Sequence, residues 1–227
     1  MTTELIVYVG PTSHGIDLRD TFGEDVRLYP PVRRGDIQEL IRSHGPGRVA
    51  IVDGTFHSYP SVGHAELRAA LEAGWQVWGL CSMGAIRAAE MRHLGMHGYG
   101  AVYEQYIANE DFDDDEVTLM HGVDAPFVPL SEPMIHIRTF IADLVARGQL
   151  ASETGRQITA NLKQRWYAER TLYSLKRALV ASLELAPHQV DSEMAEFDHF
   201  RLKTLDLLGF AAEKPWLTVE KLSTAAR

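Results

Sequence analysis

Short apolar runs alternate with stretches of helical periodicity along the first hundred residues. ELIVYV, residues 4–9, is rich in β-branched and aromatic residues and stops at Gly10-Pro11, which predicts a buried first strand followed by a loop. A second strand is predicted near residues 26–28, ended by Pro30-Pro31. Asp36 then stands in the N-cap position before Ile37, Leu40 and Ile41 at helical spacing. GPGRVAIVDG predicts a third strand over 48–52, ending at Asp53-Gly54. A helix opening near Ser61 carries Leu67, Ala70 and Leu71 and stops at Gly74. WQVWGL predicts a fourth strand over 75–80, which turns at Cys81-Ser82-Met83-Gly84 into the helix AIRAAEMRHL.

Strands alternating with helices at this spacing predict parallel βαβ units, a small three-layer α/β domain. Ligands of such sheets bind outside the carboxyl ends of the strands. Gly10-Pro11-Thr12, Asp53-Gly54-Thr55 and Cys81-Ser82-Met83-Gly84 all fall there. After Gly100 the texture changes. EDFDDDE, residues 110–116, is acidic, and LSEPMIHIRTF opens a helical region. Ile135, Phe140, Ile141 and Leu144 mark one helix. Ile158, Leu162, Trp166, Leu172, Leu175, Leu179 and Leu183 mark a long second one. Met194, Phe197, Leu202, Leu205 and Leu208 mark a third, and Pro215-Trp216 leads into a short last one. The expected organisation is an α/β core over 1–132 and a helical C-terminal region over 133–227, with no internal repeat.

Of the 227 residues 45% are hydrophobic and 23% charged, an ordinary globular composition. No apolar run approaches the ~20 residues of a membrane span. MTTELIVYVG lacks the basic start and small-residue cleavage site of a signal peptide, so the expected location is cytoplasmic. Cys81 is the single cysteine, which excludes a disulfide framework and a thiolate zinc knuckle. A net charge of −9 argues against broad nucleic-acid binding and leaves small molecules or protein partners with basic patches.

The turn at 80–84 has the shape of a nucleophile elbow. Ser82 is its centre, Gly84 allows the tight turn, and the N–H groups of Met83 and Gly84 would serve as oxyanion donors. Leu80 stands where that pattern has glycine, and a serine there also suits a plain helix cap. Cys81 is an alternative nucleophile, or simply a buried thiol. A serine nucleophile needs a base and an orienting acid. Asp53, His64 and Ser82 are expected to converge at the same sheet edge, with Glu66 close to His64, against the plainer readings of His64 as a surface residue and Asp53 as part of an Asp-Gly turn. In PPVRRGD, Arg33 and Arg34 sit on a proline-stiffened loop suited to an anionic group, unless Arg34 merely pairs with Asp36. Asp113-Asp114-Asp115-Glu116 reads as a solvated acidic loop, since it lacks the alternation and bend glycine of a calcium loop. His93 and His97 are separated by Gly95, and there is no HExxH, phosphate loop or dinucleotide fingerprint, so no metal or other cofactor is expected.

VYVGPT, PPVRRGD, IVDGTF, HAEL, CSMGAIRAAEM, GMHGYG, DDDEV, HG and PLSEP, in this order over residues 5–138, resemble the TfuA-like family. PPVRRGD and SMGAIRAAE are the most specific of these strings. The resemblance implies a partner of YcaO enzymes, which activate peptide amides with ATP to install backbone thioamides. It implies sulfur supply from a small ThiS-like carrier ending in a Gly-Gly thiocarboxylate. Ser82 would attack the acyl carbon or orient a water, and His64, with Asp53 or Glu66, would be the base. Arg33 and Arg34, with Gly10 and Thr12 at the same edge, would hold the substrate. Where two small residues are expected before the serine, this chain has Leu80-Cys81, which leaves a role for Cys81 open. The alternatives are a noncatalytic adaptor that docks the carrier or peptide on the YcaO enzyme, and a small-molecule hydrolase unrelated to sulfur.

Overall fold

The computed structural model describes residues 4–56, 59–109 and 111–218. Its sheet is five-stranded and all parallel, in the order β2-β1-β3-β4-β5. The strands are β1 (Leu5–Tyr8), β2 (Val26–Tyr29), β3 (Arg48–Ile51), β4 (Gln76–Leu80) and β5 (His97–Tyr99). The first helices are α1 (Leu18–Phe22), α2 (Asp36–Ser43), α3 (His64–Glu72), α4 (Met83–Met91) and α5 (Ala101–Ala108). Then come α6 (Met134–Ala146), α7 (Ser152–Lys163), α8 (Leu172–Ser182), α9 (Pro187–Ala195) and α10 (Leu202–Glu213). This is an α/β fold with a helical region in the second half of the chain, as expected. Among the described residues no helix is long and apolar enough to cross a membrane.

The period of two along the strands sorts side chains between the sheet faces. Ile6, Tyr8, Val49, Ile51 and Val77 pack with Ile37, Leu40, Leu67, Ala88 and Met91 of α2, α3 and α4. Leu5, Val7, Ala50, Trp78 and Leu80 face the other way, where Phe22, Leu207, Phe210 and Trp216 cover them. β5 is an addition to the four predicted strands. HGY carries no apolar pattern. The strand exists through its pairing with β4 (Trp78↔His97, Leu80↔Tyr99) and the stacking of the His97 and Trp78 rings at 4.8 Å.

The chain divides into two compact units, one of residues up to Phe112 together with those from Lys203 onward, the other Asp113–Leu202. The division therefore falls about twenty residues before the expected 132/133 boundary, and α10 belongs with the sheet. Leu202, Leu205 and Leu208 had marked the apolar stripe of this helix. Instead Lys203, Asp206, Leu207, Phe210 and Ala211 are its buried face, while Leu205 and Leu208 are exposed.

In the second unit α6 to α9 enclose Phe140, Leu144, Leu162, Leu175, Leu179 and Phe197. The single long helix predicted from Ile158 to Leu183 is broken into α7 and α8. The buried Arg170 guanidinium takes the carbonyls of Leu162, Lys163 and Arg165 and pairs with the Asp115 carboxylate. This satisfies the open end of α7. Thr171 then caps α8 by accepting the Ser174 N–H. Two other boundaries differ from expectation. Gly35, at φ 96°, is the N-cap of α2, and Asp36 instead accepts the Arg33 N–H at 2.7 Å. α3 begins at His64, with Gly63 as its cap.

Glycine is required at 84 by close approach. A Cβ there would lie 1.7 Å from the Ile51 carbonyl oxygen and 3.2 Å from Gly79 Cα. We expect Gly84→Ala to destabilise the first unit by about 3 kcal/mol or more, since the obstacle is backbone that cannot rotate away. A urea midpoint unchanged from wild type would show that α4 can move off the sheet freely.

Candidate functional site

The reversal of strand order lies between β1 and β3, whose carboxyl ends are joined by the Val52 and Asp53 N–H groups donating to the Tyr8 carbonyl and by the Asp53 side chain. Asp53, 2% exposed, accepts the Gly10 N–H at 2.9 Å, the Thr12 N–H at 3.0 Å and the Thr12 hydroxyl at 2.7 Å. The Lys203 ammonium, also 2% exposed, stands 3.8 Å from the same carboxylate. Thr204 donates its hydroxyl to the Thr12 carbonyl at 3.1 Å. Thus the start of α10 closes over the loop after β1. Gly10 and Thr12 are placed at this edge, as expected, but their N–H groups and the Thr12 hydroxyl are engaged by Asp53.

The turn after β4 lies alongside. Cys81 has φ 63°, the left-handed region, which costs a non-glycine residue about 1–3 kcal/mol. Its thiol is fully buried. Burial pushes the Cys81 thiol well above its usual pKa, the carboxylates of Asp206 and Asp53 push it further, and Lys203 works against them. That is the opposite of an activated thiolate. Ser82 is 2% exposed and occupies the N-cap position of α4, yet it makes no side-chain cap bond. Among the described residues no hydrogen bond engages its hydroxyl. Met83 opens α4, where helix geometry leaves N–H groups without intrahelical acceptors. The Gly84 N–H instead points to the Val52 carbonyl at 3.5 Å, so it serves the helix–strand contact.

His64 is not brought to Ser82. Its side chain is 56% exposed, and Nε2 lies 2.8 Å from the Glu90 carboxylate. Glu90 is eight residues along α4 from Ser82, about 12 Å at 1.5 Å per residue. Arg87 joins the same pair by donating to Glu90 at 2.7 Å and to the Val62 carbonyl at 3.0 Å. Glu66 does not orient His64 either. It is buried and accepts the N–H groups of Gly63 at 2.8 Å and Gly35 at 2.9 Å. Its work is to fasten the arginine loop to the head of α3. That loop meets the strand end through a parallel bridge between Val32 and Gly54. Arg33 lies over the Tyr59 ring at 4.1 Å, and Arg34 donates to the Ser61 carbonyl at 3.3 Å. Both are exposed.

Asp113 to Glu116 form an ion-paired cluster within the second unit. Lys163 reaches Asp113, Asp115 and Glu116, and Arg138 donates twice to the buried Glu116. The loop is therefore not simply solvated. Among the described residues no group of three or more His, Cys, Asp and Glu is placed to hold a metal.

Lys203 and Asp206, buried on α10, were not among the candidate residues expected from the sequence. Asp206 accepts the N–H groups of Ala101 at 2.8 Å and Val102 at 2.9 Å, at the head of α5. A further buried pair lies in the second unit. His136 Nδ1 is 3.0 Å from Glu132, and Arg201 donates to the other oxygen of Glu132 at 2.7 Å. Burial alone would raise the Glu132 carboxyl, but His136 and Arg201 outweigh it and hold it below the usual range.

The first unit is thus a doubly wound α/β protein that gathers a carboxylate, a buried ammonium and a serine turn at its strand ends. Residues 53–171 match the model of the TfuA-like protein family, just over half of the chain, and the chain belongs to that family. The matched span takes in Asp53, Ser82 and the PLSEP segment, and leaves VYVGPT, PPVRRGD and Lys203 outside. No curated protein matches the chain.

Burial raises the Asp206 carboxyl from 3.8 to about 6, against the pull of its two N–H bonds. Such a group protonates more readily folded than unfolded, so its contribution to stability is complete below about pH 4 and is lost as pH rises through 6. Asp206→Asn keeps one oxygen for α5 and cannot ionise. Urea midpoints measured from pH 4 to 7 should show the variant gaining on wild type as pH rises. Parallel profiles would mean that Asp206 titrates as it does in the unfolded chain.

Proposed function

We propose that this protein releases sulfide from a thiocarboxylated ThiS-like carrier for a cytoplasmic YcaO enzyme that installs backbone thioamides. Family membership supplies the setting. The observation that carries the chemistry is the buried Lys203 ammonium beside Asp53, at the strand ends that also bear Ser82 with its unengaged hydroxyl. A thiocarboxylate is both an anion and an acyl compound. Lys203 offsets its charge in a site where water screens little. The Ser82 hydroxyl, or a water it orients, attacks the acyl carbon, and the N–H of Met83 is the nearby backbone donor for the developing oxyanion. The carbon–sulfur bond breaks, and the proton of the attacking oxygen ends on the departing sulfur. Where Ser82 itself attacks, a water then hydrolyses the acyl ester and returns the hydroxyl to Ser82, so that by either route thiocarboxylate plus water gives carboxylate plus hydrogen sulfide. Arg33 and Arg34, exposed beside Gly54, suit the acidic surface of a carrier. Sulfide would be delivered where the YcaO enzyme has activated the amide with ATP.

A second reading, the noncatalytic adaptor, is favoured by the burial of Ser82 and by the separation of His64 from it. In that case the protein would dock the carrier or peptide on the YcaO enzyme and raise its activity without breaking a bond.

Sulfide release from purified, thiocarboxylated carrier separates the two. Ser82→Ala should lower release by several orders of magnitude while carrier affinity stays unchanged, because no charge or bulk is altered. Lys203→Met, checked for folding by its urea midpoint, should also lower release. Cys81→Ala should retain it. Wild-type protein that releases no sulfide yet stimulates the YcaO enzyme would replace this mechanism with the adaptor.

A further inference from the structure

The second unit is acidic, with fourteen Asp and Glu against nine Lys and Arg over residues 113–202. Seven of those nine cations have a carboxylate partner: Arg138, Arg147, Arg156, Lys163, Arg170, Lys176 and Arg201. Arg165 and Arg177 have none among the described residues. Arg165 donates only to the Asn161 side-chain oxygen at 3.1 Å, and Arg177 lies over the Tyr173 ring at 5.8 Å. Both line the same groove between α7 and α8, about 410 Å³ in volume, and no acidic residue lines it with them.

The rest of the groove suits a peptide better than an inorganic anion. Asn161 lines the groove and has its oxygen engaged by Arg165, which leaves its NH₂ as the donor. Gln157 also lines it and spends its NH₂ on Glu153 at 2.9 Å, which leaves its oxygen as the acceptor. One turn apart on α7, the two present a donor and an acceptor, the complement of a peptide backbone unit. Ile158, Ala178 and Ala181 supply apolar floor. Flanking the groove rather than lining it, Trp166, beside Arg165 in sequence, is 58% exposed, and Tyr173, under the Arg177 guanidinium, is exposed too. Arginine with tryptophan and tyrosine is the composition of binding hot spots.

We infer that the α7–α8 groove is a docking site for an extended acidic segment of a partner protein, whose carboxylates pair with Arg165 and Arg177. The site is independent of the sheet-edge chemistry proposed above. The three other tryptophans, Trp75, Trp78 and Trp216, are buried, so Trp166 reports on this surface.

The probe is a fluorescein-labelled, capped six-residue peptide of alternating glutamate and leucine, with a lysine–leucine peptide and inorganic phosphate as comparisons. On the full chain the acidic peptide should bind, change Trp166 emission and weaken as salt is raised. Arg165→Gln with Arg177→Gln, at two exposed positions, should weaken binding at least tenfold and leave the urea midpoint in place. Sulfide release should be unaffected by the double variant. The inference is overturned if the acidic peptide does not bind, if the double variant binds it as well as wild type, or if the lysine–leucine peptide binds equally. Displacement of the peptide by phosphate at the same concentration as by unlabelled peptide would replace the peptide groove with a small-anion site.

Discussion

A carboxylate removed from water must have its lone pairs satisfied or give up its charge. Asp53 meets that demand with three donors from the loop after β1 and a nearby ammonium from the start of α10. The consequence reaches beyond one residue. From β1 the chain runs outward to β2, then crosses back past β1 to β3, and the crevice of such a sheet opens where the winding reverses. Asp53 ties the loop after β1 to the end of β3 at that point of reversal. It also accounts for a lysine at the heart of an apolar packing face, since burying that ammonium without a carboxylate nearby would be severely unfavourable.

The same edge shows how packing sets the turn that bears Ser82. Gly79 and Gly84 are both needed because α4 lies against the ends of β3 and β4 without room for a methyl group. The chain must therefore leave β4 and enter α4 within two residues. Cys81 takes the left-handed conformation that this requires, and Ser82 is carried past the capping geometry that a serine ordinarily adopts there. The hydroxyl is left unengaged by the helix because the turn is too sharp for it to cap.

The sheet and its carboxyl edge were legible because they rest on local signals: β-branched runs, Asp-Gly and Gly-Pro stops, and small residues at the fourth turn. β5 was not, because HGY has no pattern of its own and is made by pairing. The α7–α8 break was not, because it depends on Arg170 meeting three carbonyls and Asp115, a contact spanning fifty-five residues. The site was legible in half. Asp53 and Ser82 stand where the strand ends put them. His64 and Glu66 share a sequence neighbourhood with that edge but spend their side chains on Glu90 and on two backbone N–H groups. Lys203 was hidden by a choice of helix face. Leu202, Leu205 and Leu208 make a plausible apolar stripe, yet Leu207, Phe210 and Ala211 make another, and the second one includes a lysine and an aspartate. A stripe that buries two opposite charges is costly unless those charges have work or partners, and only the three-dimensional arrangement reveals both.

Charge placement ties these parts together. The chain carries a net −9, which disfavours the approach of any anionic partner at long range. At physiological ionic strength that repulsion fades beyond about 8 Å, whereas a cation in contact with its ligand is screened little. Local exceptions to the overall charge therefore decide where an anion can settle. In the second unit seven of nine cations have a carboxylate partner, and the two left over, Arg165 and Arg177, line the same groove. In the first unit the buried ammonium of Lys203 is balanced by Asp53, while Arg33 and Arg34 stand exposed beside the strand end. In an acidic protein the few cations without a carboxylate partner are the places where geometry and charge together would favour an anionic partner.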